Sequence, residues 1–153
     1  MKKLLGIIPV LLMFITVSCT QNDGNIGKLF GAWYLDSMTV DGEPAELPEG
    51  TATFMKFQGE VVQFMLSDGG YVPISQCYGT WTRSMDNITF NFTHSSDACL
   101  PGTGVFEAPQ WLGFPANEVF TVALSHISSE RLDMVYVRGN DNSVVVYKFL
   151  KTW

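Results

Sequence analysis

The sequence predicts an all-β protein, an eight-stranded antiparallel up-and-down β-barrel. Three observations lead to this prediction. From Gly31 onward, apolar and polar residues alternate with a period of two, and segments rich in turn-forming residues separate the alternating runs. No stretch in this part of the chain shows the sustained period of 3.6 residues that an amphipathic helix requires. There are eight such runs, and eight antiparallel strands can close into a barrel that leaves no exposed sheet edge.

Two kinds of connection alternate between the predicted strands, which cover residues 31–40, 51–58, 60–67, 71–84, 87–93, 118–128, 130–137 and 143–151. Tight turns lie at residues 58–60, 85–86 and 128–130, and longer loops cover residues 41–50, 67–70, 94–117 and 139–142. In an up-and-down meander, every second connection falls at the same end of the barrel. We therefore expect one end with tight turns, called the tight end, and one with long loops, called the open end.

The N-terminal residues have the layout of a bacterial export signal. Met1-Lys2-Lys3 is basic, residues 4–17 are apolar, and Ser18-Cys19 follows. Residues 16–19 resemble a lipobox, in which the signal is cut before the cysteine and a lipid is attached to Cys19. An ordinary signal peptide is the alternative. We predict a lipoprotein signal peptide over residues 1–18, a flexible tether over 19–27 and a barrel domain over 28–153.

The expected mature chain is acidic, which restricts its partners. Cleavage before Cys19 removes Lys2 and Lys3 but no acidic residue, and leaves 7 basic and 15 acidic side chains, a net charge of about −8. Such a chain repels phosphate backbones, so nucleic acid is excluded as a partner. We expect the protein in the cell envelope, attached to the outer membrane through a lipid on Cys19, with the periplasmic or surface face left open.

Two further cysteines, Cys77 and Cys99, are predicted to form a disulfide, because exported proteins fold in an oxidising compartment. The bridge would tie the long loop of residues 94–117 to the strand before it. A reactive or metal-binding pair is the alternative, although no His or Cys stands at the short spacing of a zinc site. We predict neither a metal nor a cofactor. No set of residues suited to catalysis can be drawn from the sequence, which favours a non-enzymatic protein.

Gly31-Ala32-Trp33 stands at the start of the first strand, and a long first loop follows that strand. Together with eight meander strands, this motif resembles the lipocalin family, in particular the small lipocalin-like lipoproteins of Gram-negative envelopes. The resemblance covers nearly all of residues 28–153. It implies that Gly31 and Trp33 form the family motif, with a basic side chain over the Trp33 ring. Arg131, Arg138 and Arg83 are the candidates for that side chain. The alternation of the connections places this motif at the tight end.

Antiparallel register predicts which side chains face the barrel interior, since partners share a face. It places Trp81 opposite Phe90, Leu124 opposite Met134 and His126 opposite Leu132. The predicted interior residues are Phe64, Leu66, Trp81, Ile88, Phe90, Phe92, Phe120, Val122, Leu124, Leu132, Met134, Tyr136, Val145, Tyr147 and Phe149. They could form a solid core or line a modest cavity.

The loop of residues 94–117 carries several aromatic side chains and is longer than a connection requires. It could act as a lid that gates a ligand or as a plug that hides the apolar end of the barrel. The candidate ligand-binding residues are Trp81, Phe90, Phe92, Phe120, Tyr136, Tyr147, Phe106 and Trp111.

The loops of the open end carry acidic residues and contain no Lys or Arg. We therefore expect a small neutral or cationic, partly apolar ligand at the barrel mouth. The alternative is a protein-interaction or inhibitory module with a plugged barrel. Such a module would use the acidic loops or an outer patch of Val135, Val137, Val144 and Val146. Residues 26–30 or a partner could cover this patch.

Overall fold

The computed structural model describes residues 26–69, 72–93 and 108–152, so Cys19, Cys99, Phe106 and the signal peptide lie outside the described residues. Within these ranges, nine strands form one antiparallel sheet. They are β1 Gly31–Val40, β2 Glu43–Pro44, β3 Ala52–Gln58, β4 Val61–Ser67, β5 Pro73–Ser84, β6 Asn87–Asn91, β7 Val119–Ile127, β8 Arg131–Val137 and β9 Val144–Lys151. None of the described residues forms a helix with the length and apolar character needed to cross a membrane.

Pairing of the first and last strands closes the sheet into a barrel. Trp33 pairs with Lys151 at one end of this seam, and Val40 pairs with Val145 at the other. Eight strands take part, since the two-residue β2 only adds to the edge of β1. The predicted eight-stranded antiparallel barrel is confirmed, and β2 is the one strand in the described residues that the sequence pattern did not predict.

The first strand changes partners along its length. Residues 31–34 pair with β3, whereas Thr39 and Val40 pair with β2 on the same side. The backbone N–H of Ala45 extends this contact by donating to the Met38 carbonyl at 2.9 Å. Near the open end, β1 is therefore bordered by the first loop instead of by β3.

The alternation of side chains places a dense apolar core inside the barrel. All fifteen residues predicted to face the interior are buried, which confirms that part of the prediction. Met55 and Phe57 of β3, Val62 of β4 and Leu35 of β1 join them. Gly79 is needed beside the Phe92 ring, because a Cβ at this position would lie 2.7 Å from a ring carbon.

A β-bulge in β7 overturns one predicted pairing. The register shifts between Leu124 and His126, so Leu132 pairs with Ile127 instead of with His126. His126 pairs with Asp133 and is exposed. The extra residue at the bulge reverses the faces of the residues that follow it, which a constant alternation cannot anticipate.

The tight end is closed by Trp33 and the short 3₁₀ turn Gly27–Leu29. The Trp33 indole N–H donates to the Leu29 carbonyl at 2.9 Å, and both side chains are fully buried. The Lys151 Nζ lies 4.8 Å from the centre of the Trp33 ring and donates to the Lys28 carbonyl. The basic residue over the motif tryptophan is thus Lys151, which β9 places directly opposite Trp33.

The three arginines suggested for that position lie elsewhere. Arg131 forms an ion pair with Asp133, and the Arg83 guanidinium donates to the Met85 carbonyl. Arg138 follows the end of β8 that points to the open end, so the length of the barrel separates it from Trp33. The prediction that an arginine covers Trp33 was therefore wrong.

The outer valine patch forms with the predicted pairing. Val135 lies opposite Val146, and Val137 lies opposite Val144. Val137 is 54% exposed and Val144 is 40% exposed. Ile26 and Leu29 are instead buried in the core cluster. The described part of the N-terminal segment therefore leaves Val137 and Val144 uncovered.

Candidate functional site

The segment of residues 108–114 inserts into the open end of the barrel and will be called the plug. Its 3₁₀ turn, Gln110–Leu112, begins after Pro109 and ends at Gly113, whose φ of 74° suits glycine. Leu112 and Phe114 are buried in the core cluster. The Tyr147 hydroxyl, itself buried, donates to the Leu112 carbonyl at 2.6 Å and anchors the turn from inside the barrel.

Phe114 is the centre of the aromatic packing at this end. Its ring centroid lies 4.7 Å from that of Phe120, 5.2 Å from that of Tyr147 and 5.5 Å from that of Tyr136. Its ring also meets Phe64 edge to face. Of the two interpretations of the long loop, its described residues take the form of a plug, because they fill the upper part of the barrel interior.

A cleft of about 950 Å³ opens above the plug, between residues 110–118 and the turn that joins β8 to β9. We call it the mouth cleft. Its floor contains aromatic rings, and its rim carries one acidic and one basic side chain. The lining residues are Gln110, Gly113, Phe114, Pro115, Ala116, Glu118, Tyr136, Arg138, Gly139 and Asn140. The mouth cleft therefore combines an apolar floor with a charged rim.

Arg138 lies against the backbone of the plug. A Cβ on Gly113 would meet the Arg138 guanidinium, so the glycine leaves the space that this side chain occupies. The Arg138 Nε is buried and has no hydrogen-bond partner among the described residues. The guanidinium also makes no ion pair in the part of the chain that the structure describes. Arg138 thus presents a cation whose donors are incompletely used.

Charges on both sides of the cleft act on Tyr136. Burial raises the pKa of the Tyr136 hydroxyl, the Glu118 carboxylate raises it further, and the Arg138 guanidinium lowers it. At the β8–β9 turn, a hydrogen bond from the Ser143 hydroxyl is the main cause that lowers the pKa of Asp141. The Ser143 N–H also donates to the Asp141 carboxylate, which stabilises the turn.

The candidate ligand-binding residues fall at different depths. Tyr136 lines the mouth cleft, whereas Phe120 and Tyr147 lie under the plug and contact Phe114. Phe90, Phe92 and Trp81 are buried deeper in the core. Trp111 is half-buried against the core cluster, and Phe106 lies outside the described residues. The structure therefore brings Tyr136 to the cleft and buries the other described candidates in or against the core.

The sequence pattern did not predict several of the cleft residues. Phe114 was recognised only as part of an aromatic loop, and Arg138 was considered only as one of three candidates to cover Trp33, which lies at the other end of the barrel. The direction of β8 could have placed Arg138 at the open end, because this strand begins at a tight turn and ends at an open-end loop. Gln110 and Gly113 lie in a segment without periodicity, which carries no signal for its folded path.

The described residues do not test the predicted disulfide. Cys77 is buried in β5, where it pairs with Phe64 of β4. Cys99 lies beyond the described ranges, so the Cys77–Cys99 disulfide remains a prediction.

Among the described residues, no group of three or more His, Cys, Asp or Glu side chains could hold a metal ion.

Comparison with known proteins gives matches at the level of family model and fold. Residues 29–100 match the model of a lipocalin-like domain. A crystal structure of a lipocalin-like protein from Bacteroides uniformis ATCC 8492 is similar, with a TM-score of 0.53 and 19% sequence identity. That match covers 82% of this chain and 99% of the other.

A crystal structure of an uncharacterized protein from Bacteroides eggerthii DSM 20697 has a TM-score of 0.50 and 13% sequence identity. This second match covers 80% of this chain and 98% of the other. At these identities the two structures establish a shared fold only. No curated protein matches the chain significantly.

Proposed function

We propose that this chain, which carries a lipocalin-like domain, binds a small, partly apolar molecule in the mouth cleft. The domain match confirms the resemblance predicted from Gly31 and Trp33. A closed barrel of this kind is a binding fold, and eight strands enclose room for side chains or one small ligand. We infer a binding role without catalysis.

The observation that carries the proposal is the mouth cleft itself. Its volume of about 950 Å³ is within the usual range of small-molecule pockets, roughly 300–1,000 Å³. Phe114 and Tyr136 supply aromatic surface at its floor, while Glu118 and Arg138 supply polar contacts at its rim. The plug fills the upper part of the barrel interior, so we place the ligand above it.

The expected charge of the ligand is revised by Arg138. A neutral or cationic ligand was expected because the open-end loops contain no Lys or Arg. Arg138 lies just before the last of these loops and lines the cleft, which adds a cation to the acidic rim. The absence of Lys and Arg from the loops therefore no longer decides the charge of the ligand, which depends on the side chains that line the cleft.

We also propose that the protein is attached to the outer membrane through a lipid on Cys19. The support is the lipobox-like sequence of residues 16–19 after a short apolar run. Replacement of Cys19 by Ala in the full chain should prevent incorporation of a radiolabelled fatty acid in cells. Equal incorporation into the parent chain and the Cys19→Ala variant would contradict this proposal.

Binding can be tested with 4-phenylbutanol, 4-phenylbutylamine and 4-phenylbutyrate as probes. Saturable shifts of the Gly113 and Gly139 amide signals in nuclear magnetic resonance spectra are expected with at least one probe. Ala116→Trp should block binding, because Ala116 is an exposed residue of the cleft wall. Val119→Trp, at an exposed position outside the cleft lining, is the matched control. Absence of saturable shifts with all three probes would refute the proposed function.

A protein-interaction role is the second candidate, and the exposure of Val137 and Val144 favours it. The paired valines present an apolar surface on β8 and β9. If this surface binds a partner, Val137→Lys together with Val144→Lys should remove proteins that a pull-down from envelope extract recovers with the parent chain. An unchanged set of recovered proteins would speak against this candidate.

A further inference from the structure

We propose that the ligand of the mouth cleft carries a carboxylate, which binds the Arg138 guanidinium while an apolar part covers Phe114 and Tyr136. This inference rests on the proposed function and names the chemical class of its ligand: a monocarboxylate with an aromatic or aliphatic body.

The first argument is the unused hydrogen-bonding capacity of Arg138. A guanidinium carries five N–H donors and stays charged at any physiological pH. The Arg138 Nε is buried and has no acceptor among the described residues. A buried donor without a partner destabilises the protein, and the effect is larger for a charged group. The Nε atom is enclosed against the plug, whereas the Arg138 side chain as a whole is half-buried, so the terminal N–H groups are the donors that face a ligand in the cleft. A carboxylate fits these groups best, since its two oxygens can accept parallel hydrogen bonds from one guanidinium.

The second argument is that the nearby acidic residues do not take this role. The Asp141 Oδ1 accepts hydrogen bonds from the Ser143 N–H at 2.9 Å and from its hydroxyl at 2.7 Å. Glu118 lines the same cleft but is exposed and forms no ion pair with Arg138. Both carboxylates act on the cleft through their charge without occupying the donors of Arg138.

These two acids also limit the charge that the cleft accepts. Among the described residues that line the mouth cleft, Arg138 is the one basic side chain and Glu118 is the one acidic side chain. A dianionic phosphate would meet repulsion from Glu118 and Asp141 that one guanidinium does not offset. A single carboxylate brings one negative charge where the phosphate brings two, so it meets less repulsion. A monocarboxylate is therefore favoured over a phosphate.

The third argument is the apolar surface next to the guanidinium. Phe114 and Tyr136 pack edge to face at 5.5 Å, and both line the cleft together with Pro115 and Ala116. Arg138 lies over Gly113, the residue directly before Phe114. The cation and the aromatic floor are therefore adjacent, and a ligand with a carboxylate at one end can reach both.

The test compares the three probes of the binding experiment, which differ only in the terminal group. We expect 4-phenylbutyrate to bind at least tenfold tighter than 4-phenylbutanol, and 4-phenylbutylamine to bind weakest. Arg138→Gln should lower the affinity for 4-phenylbutyrate by at least tenfold more than the affinity for 4-phenylbutanol. Lys148→Gln, which removes a positive charge from the outer face of β9, should change neither affinity. Urea unfolding of each variant confirms that it is folded.

The outcomes separate this inference from the proposed function. Equal affinity for the acid and the alcohol, or the tightest binding by the amine, would overturn the inference and leave the proposed function intact. An equal loss of both affinities in Arg138→Gln would also overturn it. If no probe binds, the proposed function itself fails. If Arg138→Gln does not fold, Arg138→Lys supplies a second variant, because it keeps the positive charge but cannot donate two parallel hydrogen bonds to a carboxylate.

Discussion

Trp33 and Lys151 show how single residues hold the tight end together. The ammonium of Lys151 lies over the Trp33 ring and donates to the Lys28 carbonyl, so it joins β9 to the segment before β1. Burial lowers the pKa of Lys151, which means that desolvation opposes the charged form that makes these contacts. We therefore expect a modest net contribution of this residue to stability.

Replacement of Lys151 by Met tests this contribution. The variant keeps most of the apolar side chain and loses the charge and the hydrogen bond. We expect the free energy of unfolding in urea to fall by about 1–2 kcal/mol, in line with cation–π and single hydrogen-bond values. Lys148→Met, on the exposed face of the same strand, should change it by less than about 0.5 kcal/mol. Equal losses in the two variants would contradict a specific role for Lys151.

The residue-level predictions from the sequence succeeded where alternation alone decides the outcome. Phe90, Tyr147 and the other predicted interior residues are buried, because a strand side chain has only two faces to choose between. The partner of Trp33 was missed because it depends on the closing seam between β1 and β9, which joins residues more than 100 positions apart. His126 was missed because a bulge has no clear signature in one sequence.

At the scale of elements, the plug is one of the two forms predicted for the long loop, but its backbone path was not predicted. Residues 108–114 contain no strand, yet they supply Leu112 and Phe114 to the core. Pro109 and Gly113 define the two ends of its turn, and the Tyr147 hydroxyl holds the turn in place. The aromatic content of the loop indicated burial, but its conformation depends on contacts with distant strands of the barrel, such as the hydrogen bond from Tyr147.

Phe114→Ala tests the plug. Removal of a buried ring typically costs about 3–5 kcal/mol, and we expect a loss of unfolding free energy in that range. The space left among Phe64, Phe120 and Tyr147 would be apolar, and apolar cavities of this kind bind benzene. Benzene should therefore raise the melting temperature of the variant and leave that of the parent chain unchanged.

Val119→Ala is the matched control for this prediction. Val119 begins β7 next to Phe120, but its side chain is 54% exposed. We expect a small change in stability and no effect of benzene. A Phe114→Ala variant that is as stable as Val119→Ala would contradict the structural role of the plug.

The predicted disulfide would connect the long loop to the barrel wall. Cys77 lies in the open-end half of β5, and a bridge to Cys99 would close a loop of about 22 residues, worth roughly 3 kcal/mol. Peptide mapping of the unreduced protein should recover the two cysteines in one cross-linked fragment. Cys99→Ser and chemical reduction should destabilise the protein by similar amounts, and reduction should have no further effect on the variant. Recovery of both cysteines as free thiols would refute the bridge.

At the scale of the whole molecule, the barrel has two chemically different ends. The tight end contains Trp33 with Lys151 over its ring, and the buried residues Ile26 and Leu29. The open end contains the plug and the mouth cleft. The lengths of the connections alone predicted this division, because every second connection in a meander lies at the same end of the barrel. The contents of the open end could not be predicted, because they depend on a loop path without periodicity.

This division predicts the orientation of the protein on a membrane if Cys19 carries the proposed lipid. Residues 20–26 can span at most about 25 Å, and Ile26 is packed at the tight end. The tight end is therefore held close to the lipid headgroups, and the mouth cleft points away from them. This orientation leaves the cleft accessible to a molecule that arrives through the aqueous phase.

Fluorescent labels at the two ends of β5 measure this orientation. Met85 follows β5 at the tight end and is 88% exposed, whereas Val72 precedes β5 at the open end and is 60% exposed. The two positions are separated by a 12-residue strand, which spans roughly 40 Å. With the lipidated protein in vesicles that carry a headgroup quencher, a label on Met85→Cys should be quenched more strongly than one on Val72→Cys. Equal quenching, or stronger quenching at position 72, would show that the tight end does not face the membrane.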